Sequence, residues 1–176
     1  MLKLNPVRQV VFAGVFIGMG VLLPMAFHAF GLGRTFLPMH IPVLVAGLLC
    51  GPVCGLMTGL VTPLLSSVLT GMPPMAPMPT AQMMVFELGA YGLLAGVLSQ
   101  TARLEIIPSL IGAMIGGRLV YGALGALVLP LLGFNQIPLL YPVTAGLVTG
   151  IPGVLLQLVV VPPAVRLLQN ALKNRN

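Results

Sequence analysis

MHIPVLVAGLLCGPVCGLMTGLVTPLLSSVL, residues 39–69, contains no charged side chain and a single titratable polar one of note, His40. As one straight helix these 31 residues would run about 46 Å at 1.5 Å per residue. The hydrocarbon core of a bilayer is only about 30 Å thick. Gly51-Pro52 lies near the middle of the run. Proline removes a backbone donor and pushes the preceding residue out of the helical region. The stretch therefore reads as two apolar helices, about 39–51 and 55–70, meeting in a tight turn near Gly51–Gly55.

The rest of the chain supports a membrane setting. Of its 176 residues, 58% are hydrophobic and 6% are charged, and the mean hydropathy is +1.10. A soluble domain carries about 25% charged residues, so this chain cannot cover a water-facing surface. It is also too apolar for disorder. Proline, glycine and polar punctuation sets off four further helices, about 7–28, 81–98, 107–132 and 139–170. The connections between them are AFGLGRTFLP (29–38), TGMPPMAPMPT (70–80), SQTARLE (99–105) and GFNQIP (133–138). The expected fold is an all-α integral membrane protein: six transmembrane helices in one membrane domain spanning 1–176. Pro152, Pro162 and Pro163 are expected to bend or split the last helix. The first apolar run lacks a small-residue cleavage site and reads as a permanent helix rather than a signal peptide.

The basic residues orient the bundle. With the N-terminus cytoplasmic, six helices return the C-terminus to the same side. Lys3, Arg8, Arg103, Arg166, Lys173 and Arg175 then lie inside and only Arg34 outside, as the positive-inside rule requires. The net charge of +6 is accounted for in that way. It does not indicate nucleic acid, because the basic residues are scattered, no aromatic cluster accompanies them and there is no tryptophan.

Chemistry inside the bundle is confined to few residues. Glu87 and Arg118 are the two charges expected inside the bundle, away from the helix ends, and an ionisable residue inside a span is a functional hypothesis by default. They either pair to fix helix packing or anchor a ligand. In the second case Arg118 binds a carboxylate or ring carbonyl, with Glu87 orienting it. On that reading Arg118→Ala is expected to abolish uptake while leaving folding largely intact. His40, flanked by Pro38 and Pro42, either caps a helix or hydrogen-bonds the ligand; His28 reads as an interfacial helix end. Tyr91 shares a face with Glu87 at i, i+4, and Tyr121 follows Arg118 by three residues. Gln82, Asn135 and Gln157, with Thr62, Ser66, Ser67 and Thr70, complete a diffuse polar set, expected to line one cavity in the outer half.

Met72, Met75, Met78, Met83 and Met84 cluster in or just after the proline-rich loop, where adaptable side chains suit a lid. Small-xxx-small pairs such as Gly14/Gly18, Gly55/Gly59 and Gly92/Gly96 permit close helix contact. Cys50 and Cys54 read as small packing residues. No metal site is expected, since no second histidine or acid lies at ligand spacing from His40. Two acids leave little room for enzyme chemistry, and there is no P-loop, dinucleotide-binding glycine pattern or catalytic-triad context. Active transport would have to draw on an ion gradient or another subunit.

LPMHIPVLVAGLLCGPVCGLMTGLVTPLLSSVLTGMPP (37–74), ELGAYGLLAG (87–96) and GRLVYG (117–122) resemble the substrate-binding S components of energy-coupling factor (ECF) vitamin transporters. The likeness covers nearly the whole chain. It implies high-affinity binding of a micronutrient near the outer face, with no cofactor, in the plasma membrane of a prokaryotic cell. It also implies docking on a membrane T component that carries two cytoplasmic ATPase subunits, and toppling in the membrane to release ligand. The family's docking residues on the first helix, typically alanine-xxx-alanine, correspond to Gly14 and Gly18. The gating loops correspond to 28–38, with Arg34, and 70–80, with Met72, Pro73, Pro74 and Met75. Thiamine- and riboflavin-type sites often stack aromatics, which are scarce here. Pantothenate is therefore the first expectation, then pyridoxine-type compounds and folate. The family's metal-binding members use an N-terminal Met-His, whereas Met39-His40 is internal. A stand-alone proton-coupled carrier with Glu87 as its relay is the alternative.

Overall fold

The computed structural model describes residues 5–133 and 141–174, with side chains except those of Arg34 and residues 141–149. Among the described residues all regular structure is helical. Helix α1 spans Pro6–Ala29. It starts there because the Asn5 side chain accepts a hydrogen bond from the Arg8 amide at 2.9 Å, and Pro6 occupies a first-turn position whose amide would be unpaired anyway. Within the expected 29–38 loop lies a single helical turn, α2 (Gly33–Phe36).

The decisive run forms α3 (His40–Cys50) and α4 (Pro52–Thr70). The turn between them is tighter than expected. Gly51 alone makes it, with φ +103°, a value that side-chain-bearing residues rarely adopt, and Pro52 begins α4. Helix α5 (Thr80–Gly96) runs on through a π-helical turn, Val97–Thr101. The polar segment expected to be loop from Ser99 is therefore partly helix, and Ser99 is buried, donating to the Ala95 carbonyl at 2.7 Å. Helix α6 is Ile106–Leu131 and α7 is Tyr141–Lys173. Pro152, Pro162 and Pro163 all lie inside α7 without dividing it.

Among the described residues five helices are long and apolar enough to cross a membrane: α1, α4, α5 with its π turn, α6 and the Gly150–Lys173 part of α7. Helix α3, expected as another span, has 11 residues, about 16 Å at 1.5 Å per residue. All of its residues but Ile41 are buried, and it packs against α1, α4, α5, α6 and α7. It is the axis of the bundle. Val43, Leu44, Leu48 and Leu49 on α3 meet Leu88 of α5, Leu110 of α6, and Val161 and Val165 of α7 in one core.

Helices α4 and α5 meet backbone to backbone. A Cβ on Gly55 would run into the Gly92 carbonyl, and one on Gly92 into that of Gly55. Cys50 and Cys54 are buried, unbridged thiols beside this seam, and Cys54 Sγ lies 3.6 Å from the Gln9 carbonyl. The outside of the long helices carries large apolar side chains, among them Val7, Val11, Leu22, Ile115, Leu119, Leu155 and Val159. A continuous apolar exterior of this kind suits lipid rather than water.

Candidate functional site

Helix α5 places Glu87 seven residues from its start at Thr80, about 10 Å along the axis. Glu87 and Tyr91, one turn apart on the inner face, are 2% and 1% exposed. Arg118, near the middle of α6, brings Nη1 to 3.0 Å from Glu87 Oε1. His40, the first residue of α3, sets Nε2 3.8 Å from the same oxygen. The His40 and Tyr91 rings meet at a centroid distance of 4.9 Å and an angle of 85°, a favourable T-shaped contact. Three helices thus bring four of the expected residues together.

Two glycines give these side chains their room. A Cβ on Gly117 would collide with the Tyr91 ring. A Cβ on Gly150 of α7 would lie 3.0 Å from Arg118 Nη2 and 3.3 Å from Leu37 Cδ1. Three residues on, a Cβ on Gly153 would lie 2.9 Å from the Phe36 carbonyl oxygen. The close approach of α2 and α7 rests on Leu37, whose φ of 48° and ψ of 50° are left-handed. That conformation is uncommon for a residue with a side chain, and it turns the chain from α2 into α3 so that His40 points at Glu87. Gln157, four residues after Gly153 on the same α7 face, is 1% exposed.

Hydrogen bonding at this corner, and at Gln157 on the adjoining face of α7, is incomplete. Among the described residues, both ring nitrogens of His40, Arg118 Nη2 and both amide atoms of Gln157 are buried without a hydrogen-bond partner. Glu87 Oε1 also makes no hydrogen bond and is held by its ion contact alone. Each such atom costs roughly 1–3 kcal/mol. Elsewhere, buried hydroxyls are satisfied: Thr58 donates to the Cys54 carbonyl at 2.8 Å, and Thr62 donates to that of Thr58 at 2.6 Å. A cluster of buried, unpartnered donors and acceptors is arranged to meet something else.

Other expected residues lie apart from the corner. Gln82 is exposed at the start of α5 and donates to the Met75 carbonyl at 3.3 Å. Ser66 and Ser67 donate to the carbonyls of Met72 and Pro73 at 2.7 and 2.6 Å, and the Ala81 amide donates to that of Pro74 at 3.0 Å. These bonds pin the 71–79 loop from both sides. In that loop Met72, Pro74 and Met75 are exposed and Pro73 is half-buried. Tyr121 is half-buried one turn along α6 from Arg118. His28 closes α1, with Nδ1 2.7 Å from the Pro24 carbonyl. Gly14 is exposed and Gly18 half-buried on α1, with no atom within 4 Å of where either Cβ would project. Arg34 belongs to α2, but its side chain lies outside the described set, and Asn135 lies outside the described residues. Among the described residues no group of three or more His, Cys, Asp or Glu side chains could hold a metal ion.

The sequence does not show Gly117, Gly153 or Leu37 as shaping the site, and Gly150 reads there only as half of a small-xxx-small pair with Gly146. Nothing in one sequence says which helix a glycine faces, and leucine carries no signal for a left-handed turn. The pairing also alters one expectation. Removing Arg118 would leave Glu87 charged and buried without its counterion, so Arg118→Ala should destabilise the fold as well as the site.

A family model described as ECF transporter, substrate-specific component, matches residues 8–165. No curated protein and no solved structure matches the chain. With the model covering most of its length, the chain belongs to the family of ECF transporter substrate-specific components. That family is one of transport subunits, concerned with uptake of vitamins and other micronutrients, and the chain is a multi-pass membrane protein.

Proposed function

We propose that this substrate-specific component captures a vitamin or related micronutrient at the corner formed by His40, Glu87, Tyr91, Arg118 and Gln157. It then delivers the ligand in partnership with an ECF T component and two cytoplasmic ATPase subunits. The observation that carries this reading is the set of buried, unpartnered polar atoms at one place in a member of a substrate-binding family. Arg118 Nη1 is engaged by Glu87, so Nη2 is the donor left for ligand. Tyr91 supplies a ring wall, and Tyr121, Gln82 and Asn135 belong to the approach from the outer face. Pantothenate is the first candidate, followed by pyridoxine-type compounds and folate.

The protein sits in the plasma membrane of a prokaryotic cell with both termini cytoplasmic, and α3 counts as the sixth membrane helix. The proline-rich loop, with Met72, Pro73, Pro74 and Met75, and the α1–α2 connection with Arg34 cover the outer end. The open Gly14/Gly18 face of α1 docks on the T component. No cofactor takes part. The stand-alone proton carrier is the weaker reading: a relay carboxylate has to be free to exchange its proton in each cycle, whereas Glu87 is engaged by Arg118 at 3.0 Å.

The test is uptake of labelled pantothenate, pyridoxine and folate into proteoliposomes holding the chain, with or without the T and ATPase subunits. Uptake of one of them that requires the partner subunits and ATP is expected. Uptake by the chain alone, dissipated by an uncoupler, would contradict this reading.

A further inference from the structure

We propose that the part of the ligand held at this corner is uncharged and carries a hydrogen-bond donor and an acceptor side by side, as an amide, lactam or ureide does. The inference rests on the site assignment above and names the class of group that the site takes. The first argument is charge. Glu87 and Arg118 carry opposite formal charges and compensate each other at 3.0 Å. Residues 134–149 contain no Asp, Glu, Lys, Arg or His. A ligand carboxylate placed here would stand beside Glu87 without a counterion of its own, and a ligand ammonium would stand beside the Arg118 guanidinium. Either arrangement buries an uncompensated charge, which is costly.

The second argument is the inventory of free hydrogen-bonding groups. Arg118 Nη2 and Gln157 Nε2 are donors, Gln157 Oε1 is an acceptor, and a neutral His40 offers one of each. A carboxylate accepts only, so it would leave Gln157 Oε1 facing another oxygen. An ammonium donates only, and would leave Arg118 Nη2 and Gln157 Nε2 unmatched. An amide-type edge presents N–H beside C=O and can pair with both atoms of the Gln157 amide, its second carbonyl lone pair remaining for Arg118 Nη2. Sites with buried polar groups discriminate strongly against analogues that leave those groups unpaired. Gln157, whose own amide is this two-sided group, becomes the main specificity residue. A charged end on the same ligand would lie toward α2, where Arg34 is the next basic residue of the outer side.

The experiment uses the full chain purified in detergent and an equimolar mixture of probes. The mixture pairs nicotinate with nicotinamide, biotin with biotinamide and lipoate with lipoamide, and adds pantothenate, pyridoxine, folate and thiamine. Native mass spectrometry reads which compound stays bound, and calorimetry then titrates that compound against wild type, Gln157→Leu, Gln157→Met and Gln157→Asn. The compound retained by wild type is expected to contain an amide, lactam or ureide. Gln157→Leu and Gln157→Met should bind it at least about tenfold more weakly without a lower melting temperature, and Gln157→Asn should recover part of the affinity. Two results would overturn the inference: selection of a compound whose only polar groups at one end are a carboxylate or an ammonium, or affinity within about twofold of wild type in a folded Gln157→Leu or Gln157→Met. Retention of no probe by wild type would remove the site assignment itself, and this inference with it.

Discussion

Two regions of the bundle use glycine in opposite ways. Along the α3–α4–α5 seam, Gly47, Gly55 and Gly92 bring one backbone onto another, and the nearby Thr58 and Thr62 hydroxyls are satisfied within their own helix. At the α3–α6–α7 corner, Gly117 and Gly150 make room for the Tyr91 ring and the Arg118 guanidinium instead, and polar atoms are left without partners. The seam is a scaffold whose interactions are complete. The corner holds a compensated ion pair and several incomplete hydrogen bonds, which is what a site awaiting a small molecule requires. Helix α3 belongs to both, so the scaffold fixes His40 relative to Glu87.

The contrast can be broken most severely at the seam. Gly92→Leu should yield no folded, monodisperse protein in detergent, because the obstructing atoms are the Gly55 backbone and cannot rotate away. Even Gly92→Ala should cost about 1–3 kcal/mol, read as a lower melting temperature. At the corner, Arg118→Ala should cost about 3–5 kcal/mol by stranding the buried Glu87 charge. Combining Glu87→Gln with Arg118→Met should recover most of that stability, since a neutral pair needs no counterion. If the double variant melts as low as Arg118→Ala, the ion pair is not what stabilises the corner.

Smaller effects sharpen the boundary between the regions. Ser67→Ala removes the 2.6 Å bond to the Pro73 carbonyl and should cost about 0.5–1.5 kcal/mol. In a protease time course it should expose the 71–79 loop while leaving the seam intact. The smallest change in stability is expected on α1. No atom approaches the Cβ positions of Gly14 and Gly18, so Gly14→Leu and Gly18→Leu should melt within about 0.5 kcal/mol of wild type. They should nevertheless lose uptake in the reconstituted transporter, as a docking face would. Full uptake by both variants would leave α1 as a lipid-facing helix.

How much of this could be read from sequence follows from what each feature depends on. Helix ends marked by proline, glycine or a polar stretch lie within a few residues of those observed, because those signals are local. Helix α2 and the π turn at Val97–Thr101 were hidden: one turn of four residues and a helix running on through Ser99 and Gln100 leave no periodic pattern. Glu87 and Arg118 stood out because charges are so scarce that any inside a helix needs a reason. The roles of Ser66, Ser67 and Gln82 could not be read, because a hydroxyl or amide on a helix looks the same whether it faces a cavity or a loop carbonyl. The part that Gly117 and Gly150 play at the corner could not be picked out among 22 glycines, since it depends on which neighbour each helix meets.

The most direct test compares binding of the vitamin retained by wild type with binding by the Glu87→Gln/Arg118→Met double variant, with melting temperature measured alongside. If the corner is the ligand site, the double variant folds with stability close to wild type and binds about a hundredfold more weakly, about 2.7 kcal/mol. If it folds and binds with unchanged affinity, the polar corner is a packing element and the ligand sits elsewhere in the bundle.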